Sequence, residues 1–125
     1  MKKDTKTKEV NKQVTVNAEG KTLGRVASEI AQLLLGKNKA SFERNVYSGS
    51  PVKVMNASKI KITNKKLESI YHTRYSGHPG GLKVMKGSYT VEKKGYPELL
   101  KLAIYHMLPG NKLRREMMKN LVIEN

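Results

Sequence analysis

The apolar positions of this chain change period several times, and each change marks an element. Val14-Thr15-Val16 is a short β-branched run that predicts a first strand. Asn17 to Lys21 breaks that run and turns the chain at Gly20. From Thr22 the spacing becomes three and four. Leu23, Val26, Ala27, Ile30, Ala31 and Leu34 then share one face of a helix, with Thr22 at its N-cap and Gly36 as its stop. Residues 37–50 lose periodicity and read as a basic loop. Val52 to Met55 predicts a second strand, opened by Pro51, with Lys53 on the opposite face from Val52 and Val54.

After a turn at Asn56-Ala57-Ser58, Ile60 to Thr63 alternates as another strand. Lys65 to Tyr75 carries two signals: Leu67, Ile70 and Tyr71 have helical spacing, yet its end is β-rich. A glycine loop follows, and Leu82 to Met85 predicts one more strand. Pro97 opens a helix at its first turn, with Leu99, Leu100, Ala103, Ile104 and Met107 on the buried face and Pro109-Gly110 behind it. Lys112 to Lys119 reads as a short basic helix and Leu121 to Ile123 as a closing strand. Strands separated by helices predict an α/β layer fold. The expected organisation is a flexible basic arm over residues 1–12 and one domain over 13–125, with no repeat and no linker.

Charge turns this scaffold into a binding candidate. The 125 residues hold 25 Lys and Arg against 10 Asp and Glu, a net charge of +15. A domain so basic has a polyanion as its natural partner, nucleic acid before an acidic membrane surface. The charge is unevenly spread. Residues 14–36 balance, with Lys21 and Arg25 against Glu19 and Glu29, whereas residues 37–75 set nine cations against Glu43 and Glu68. No apolar run approaches the roughly 20 residues of a membrane span, and the lysine-rich start lacks the apolar stretch of a secretory signal. Without cysteine there is neither a disulfide framework nor a thiolate zinc site.

Catalytic apparatus is missing from the pattern. Gly20-Lys21-Thr22 lies between a strand and a helix, but a phosphate-binding loop needs a further glycine where Thr15 stands. The helix start beside Lys21 and Arg25 has room only for a single backbone phosphate. His72, His78 and His106 lack the i,i+4 spacing and carboxylate company of metal ligands, and read as solvated or RNA-facing. The acidic residues are scattered, so no carboxylate pair is in view.

The segment from Thr73 to Lys83 is the densest candidate. Gly77-His78-Pro79-Gly80 matches the GXXG clamp of KH domains. Taken alone, a tight turn needing positive φ is the simpler reading. Gly80 and Gly81 let either a phosphate approach or the chain turn. Arg74, Tyr75 and Lys83 flank them. Lys37, Lys39 and Arg44 occupy one basic loop; Lys59, Lys61 and Lys65 follow the second strand; Lys112, Arg114, Arg115 and Lys119 lie on the last helix. With Lys21 and Arg25, these residues form the expected phosphate-tracking surface.

Four motifs occur in order: Asn17 to Ser28, Val54 to Ile60, the glycine loop, and Met107-Leu108-Pro109 ahead of Lys112-Leu113-Arg114-Arg115. Over residues 14–123 the chain closely resembles the bacterial form of the family of large-subunit ribosomal protein thirteen. The resemblance implies a three-layer α/β/α domain around a four-stranded sheet. It implies binding to large-subunit ribosomal RNA of the bacterial 23S type, early entry into subunit assembly, and a cytoplasmic place in the ribosome beside neighbouring large-subunit proteins. It implies no catalytic activity, cofactor, metal, small-molecule substrate or membrane partner. A regulator that binds messenger RNA outside the ribosome is the alternative from another class.

The chain departs from the family pattern in places. Gln13 and Val14 stand where an aromatic pair is usual, and Asn17 replaces an Asp. Tyr47-Ser48-Gly49-Ser50 lacks two acids, and the usual tail beyond the last strand is expected to be absent after Asn125.

Overall fold

The computed structural model describes residues 12–125, so the arm expected over residues 1–12 lies almost wholly outside the described residues. Strand β1 (Val14–Asn17) leads through a turn into helix α1 (Leu23–Leu35). The six apolar residues picked out by spacing are those α1 buries, because one turn every 3.6 residues gathers them on one face. Gly36 ends the helix at φ +80°, its N–H donating to the carbonyls of Gln32 and Leu33. Thr22 occupies the N-cap with extended backbone, but its hydroxyl makes no capping bond.

Strand β2 (Val52–Met55) lies parallel to β1, and β5 (Leu121–Ile123) lies parallel to β2, giving the order β1-β2-β5. Register places Val14 and Val16 beside Val52 and Val54, and those beside Leu121 and Ile123. These side chains make the packed face of the sheet. Helix α4 (Tyr96–Met107) lies against α1 and contributes Leu99, Leu100 and Ile104 to the same core. Thr15, Met55 and Val122 on the other face are exposed, and there Lys53 pairs with Glu124 at 2.8 Å.

The α/β class is as expected. The sheet is smaller than the resemblance implied: three parallel strands rather than four, with helices on one face among the described residues. The Ile60 to Thr63 segment forms no strand. A 3₁₀ turn over Ala57–Lys59 precedes it and helix α2 (Asn64–Ser69) follows it, leaving room for a single parallel bridge between Lys61 and Thr22.

The remaining two strands stand apart. Both signals read between Lys65 and Tyr75 are realised, as α2 followed by β3 (Tyr71–Tyr75). β3 pairs antiparallel with β4 (Leu82–Lys86) in a separate hairpin. Helix α3 (Gly87–Lys94) follows, unmarked by periodicity because its segment Gly-Ser-Tyr-Thr-Val is poor in helix formers. Gly95, at φ +84°, links α3 to α4, and α5 (Arg114–Lys119) is shorter than the basic run around it.

Candidate nucleic-acid interface

The hairpin, a sheet separate from the three-stranded one, carries the glycine loop at its tip, residues 76–81. Gly77 and Gly80 have φ +89° and +77°, with open space where a Cβ would sit. This is the turn chemistry that only glycine adopts cheaply. Gly81 differs: a Cβ there would overlap the Ser76 hydroxyl, so the chain's own side chain fills that space. The clamp of a KH domain joins two helices, and here the GXXG joins two antiparallel strands, so that comparison fails. His78 is exposed at the tip.

Arg74 and Lys83 sit directly opposite each other in the ladder. Like charges across a strand pair repel, and neither has a carboxylate partner among the described residues. An anion between them would remove the repulsion. On the other hairpin face Tyr71, Tyr75, Leu82 and Val84 are each more than half exposed, an apolar surface bordered by cations. Of these Tyr71 and Tyr75 stood out in the sequence, as aromatics beside the basic runs. The alternation of Leu82 and Val84 was visible, but nothing local said that this face points outward.

A second group is brought together by backbone bonds. The N–H of Gly20 donates to the Lys59 carbonyl at 3.1 Å and that of Lys61 to the Lys21 carbonyl at 2.9 Å. Lys21, Lys59 and Lys61 therefore share one surface although they are far apart in sequence, with exposed Arg25 on the adjoining first turn of α1. Lys21 pairs with Glu29 at 3.0 Å and Lys59 with Glu19 at 3.2 Å. All four groups are about half exposed, so these pairs are weak and a phosphate can displace the carboxylate.

The other cations divide. Lys37 and Arg44 are exposed in the loop after α1, and Lys65 is exposed on α2. Lys39 is half-buried and its ammonium donates to the Ser48 carbonyl at 2.8 Å, a bond that holds the loop. The Tyr47 to Ser50 segment is likewise a packing element. Asn120 donates to the Tyr47 hydroxyl at 2.8 Å, and burial is the main reason that phenol titrates above its ordinary value. Lys112, Arg115 and Lys119 are exposed around α5, whereas the Arg114 guanidinium lies 3.9 Å from the centre of the Tyr105 ring.

The histidines depart furthest from expectation. His72 is buried rather than solvated, and its ring stacks on His106 with centroids 5.7 Å apart and planes within 8°. Its Nε2 has no hydrogen-bond partner among the described residues. Burial, then the charge of protonated His106, lowers the His72 pKa. No group of three or more His, Asp or Glu suited to a metal occurs among the described residues.

Comparison with known proteins joins these features to the sequence motifs. Residues 11–123 match the family described as Ribosomal protein L13. The chain is 45% identical over 120 residues to large ribosomal subunit protein uL13 of Alkaliphilus metalliredigens, covering 94% of this chain and 83% of that protein. It is 44% identical to the same protein of Caldanaerobacter subterraneus (90% and 78% covered) and 47% identical to that of Geobacter sp. strain M21 (86% and 75% covered). Agreement of this length and identity makes the chain a member of the ribosomal protein L13 family.

Proposed function

We propose that this protein is a structural constituent of the large ribosomal subunit, held there by large-subunit RNA of the 23S type and by neighbouring large-subunit proteins. It acts in the cytoplasm by neutralising phosphate charge and packing RNA segments during early subunit assembly, and so supports translation without turning over a substrate. The observation that carries this reading is the family match over residues 11–123.

The exposed cations fit the role. Lys21, Arg25, Lys59 and Lys61 form one contact region, and Arg74, Lys83 and the open backbone at Gly77 and Gly80 form another. Lys37, Arg44, Lys65, Lys112, Arg115 and Lys119 are exposed as well and add to the positive surface. Arginine forks across phosphate oxygens and lysine supplies mobile point charge, which together bind folded RNA by shape and backbone.

Sedimentation of a cell lysate tests the reading. The protein is expected with large subunits and their assembly intermediates, and a pool mostly free of ribosomes would overturn it.

A further inference from the structure

A cavity of about 390 Å³ opens between the hairpin and helices α3 and α4. That is the size of an ordinary small-ligand pocket. The phosphate-tracking surface does not account for it, because its walls are aromatic and partly apolar. His72 and His106 form a stacked pair on one side, and Tyr105 meets the His106 ring edge-on at 5.6 Å. Tyr89 stands on another wall, with the Lys93 ammonium 6.0 Å from its ring centre.

The charge around this space is specific. Arg74, Lys93 and Lys94 line it against one carboxylate, Glu98, which lies 3.8 Å from Lys94. Arg74 also faces Lys83 across the ladder, a repulsive juxtaposition that costs stability unless an anion sits near it. The site therefore offers flat rings for a π-face, cations for a phosphate, and a carboxylate able to accept from a ribose hydroxyl or an exocyclic amine.

We propose that this cavity takes one unstacked nucleotide of the bound RNA, its base stacked on one ring of the aromatic wall where Tyr105 and His106 meet edge-on, and its phosphate toward Arg74 and Lys93. The proposal rests on the RNA-binding reading above and names a site within it. An acidic peptide would satisfy the cations but leave the aromatic walls without a partner. Single-stranded RNA supplies both groups one sugar apart, and stacking of its bases on aromatic side chains is how such strands are commonly held.

The test has two independent arms on the full chain. In the first, adenosine monophosphate and uridine monophosphate are titrated while backbone amide resonances are followed. Shifts at His72 to Arg74, Tyr89 to Lys94 and Tyr105-His106 are expected. Inorganic phosphate at the same concentration should move far less. Equal shifts with inorganic phosphate, no shifts at all, or displacement of the nucleotide by hexaglutamate in preference to an RNA tetramer would overturn the proposal.

In the second arm the cavity is filled by Leu102→Trp, and affinity for a large-subunit RNA transcript is measured across salt. Loss of about 5- to 150-fold is expected, with the salt slope lowered by no more than the roughly 0.7 to 0.9 of the one phosphate contact at Arg74 and Lys93, since the stacked nucleotide is expelled. Unchanged affinity in a folded variant overturns the site. A wild-type chain that fails to bind the transcript would instead overturn the RNA-binding reading itself. The nucleotide titration needs no variant, so it decides the matter even where Leu102→Trp does not fold.

Discussion

His72 lies face to face with His106, their ring planes within 8°, and one ring is buried while the other is exposed. The arrangement tolerates two neutral imidazoles and resists two charged ones. Burial lowers the His72 pKa below its ordinary value of 6.5, and the His106 charge lowers it further. In the window just below 6.5 the unfolded chain binds a proton that folded His72 refuses. Stability therefore rises with pH through that window. The stabilising difference is complete above 6.5 and is lost as pH falls through the lowered folded value. Thermal melts between pH 5 and 7.5 should show this slope, and His72→Phe should flatten it. A slope unchanged by that variant would assign the effect to other groups.

Gly49 packs its Cα against the last turn of α1, where a Cβ would overlap the Leu34 carbonyl oxygen. A backbone oxygen at a helix end cannot rotate away. Gly49→Ala is expected to cost about 3 kcal/mol, the top of the usual overpacking range. Gly80→Ala meets open space and pays only for its left-handed φ of +77°, about 1 kcal/mol. Urea midpoints of the two variants should fall in that order. The reverse order would mean that the loop after α1 yields more easily than the hairpin tip.

Such contrasts explain which parts of the molecule could be read beforehand. The α1 face was legible because six apolar residues at spacings of three and four admit only one geometry. The register of β1 on β2 and the identity of the hairpin as a separate sheet depend on pairing between distant segments, which local pattern does not encode. Ile60 to Thr63 shows the difference: its alternation is that of a strand, but the flanking turn and helix leave it one bridge. The positive character of the site was legible from charge alone. The meeting of Lys21 with Lys59 and Lys61, and the stacking of His72 on His106, are products of the fold.

The core between α1 and α4 should respond to truncation as the hairpin does not. Leu100 and Ile104 are fully buried, so Ile104→Ala leaves a cavity and is expected to cost about 2–5 kcal/mol. Leu82 is 60% exposed, and Leu82→Ala should change stability by less than about 0.5 kcal/mol. Calorimetric melts separate the two. A large loss at Leu82 would show that the outer face of the hairpin is covered in the folded protein.

Lysines that hold the fold can be separated from the lysines proposed to hold RNA by measuring two quantities for each. If about six to ten phosphates are contacted, affinity for a large-subunit RNA transcript falls by roughly 10³–10⁵ between 50 and 200 mM salt. Each contact removed then lowers the slope of log affinity against log salt by about 0.7 to 0.9. Lys61→Gln and Arg115→Gln change exposed cations and should lower that slope while leaving the melting temperature unmoved. Lys39→Gln breaks the bond to the Ser48 carbonyl and should do the opposite, costing about 1 kcal/mol of stability with little change in slope. A nearly flat salt dependence in the wild-type chain would remove the electrostatic basis of binding. A Lys39→Gln variant that lost slope but kept its stability would move that residue from the fold to the interface.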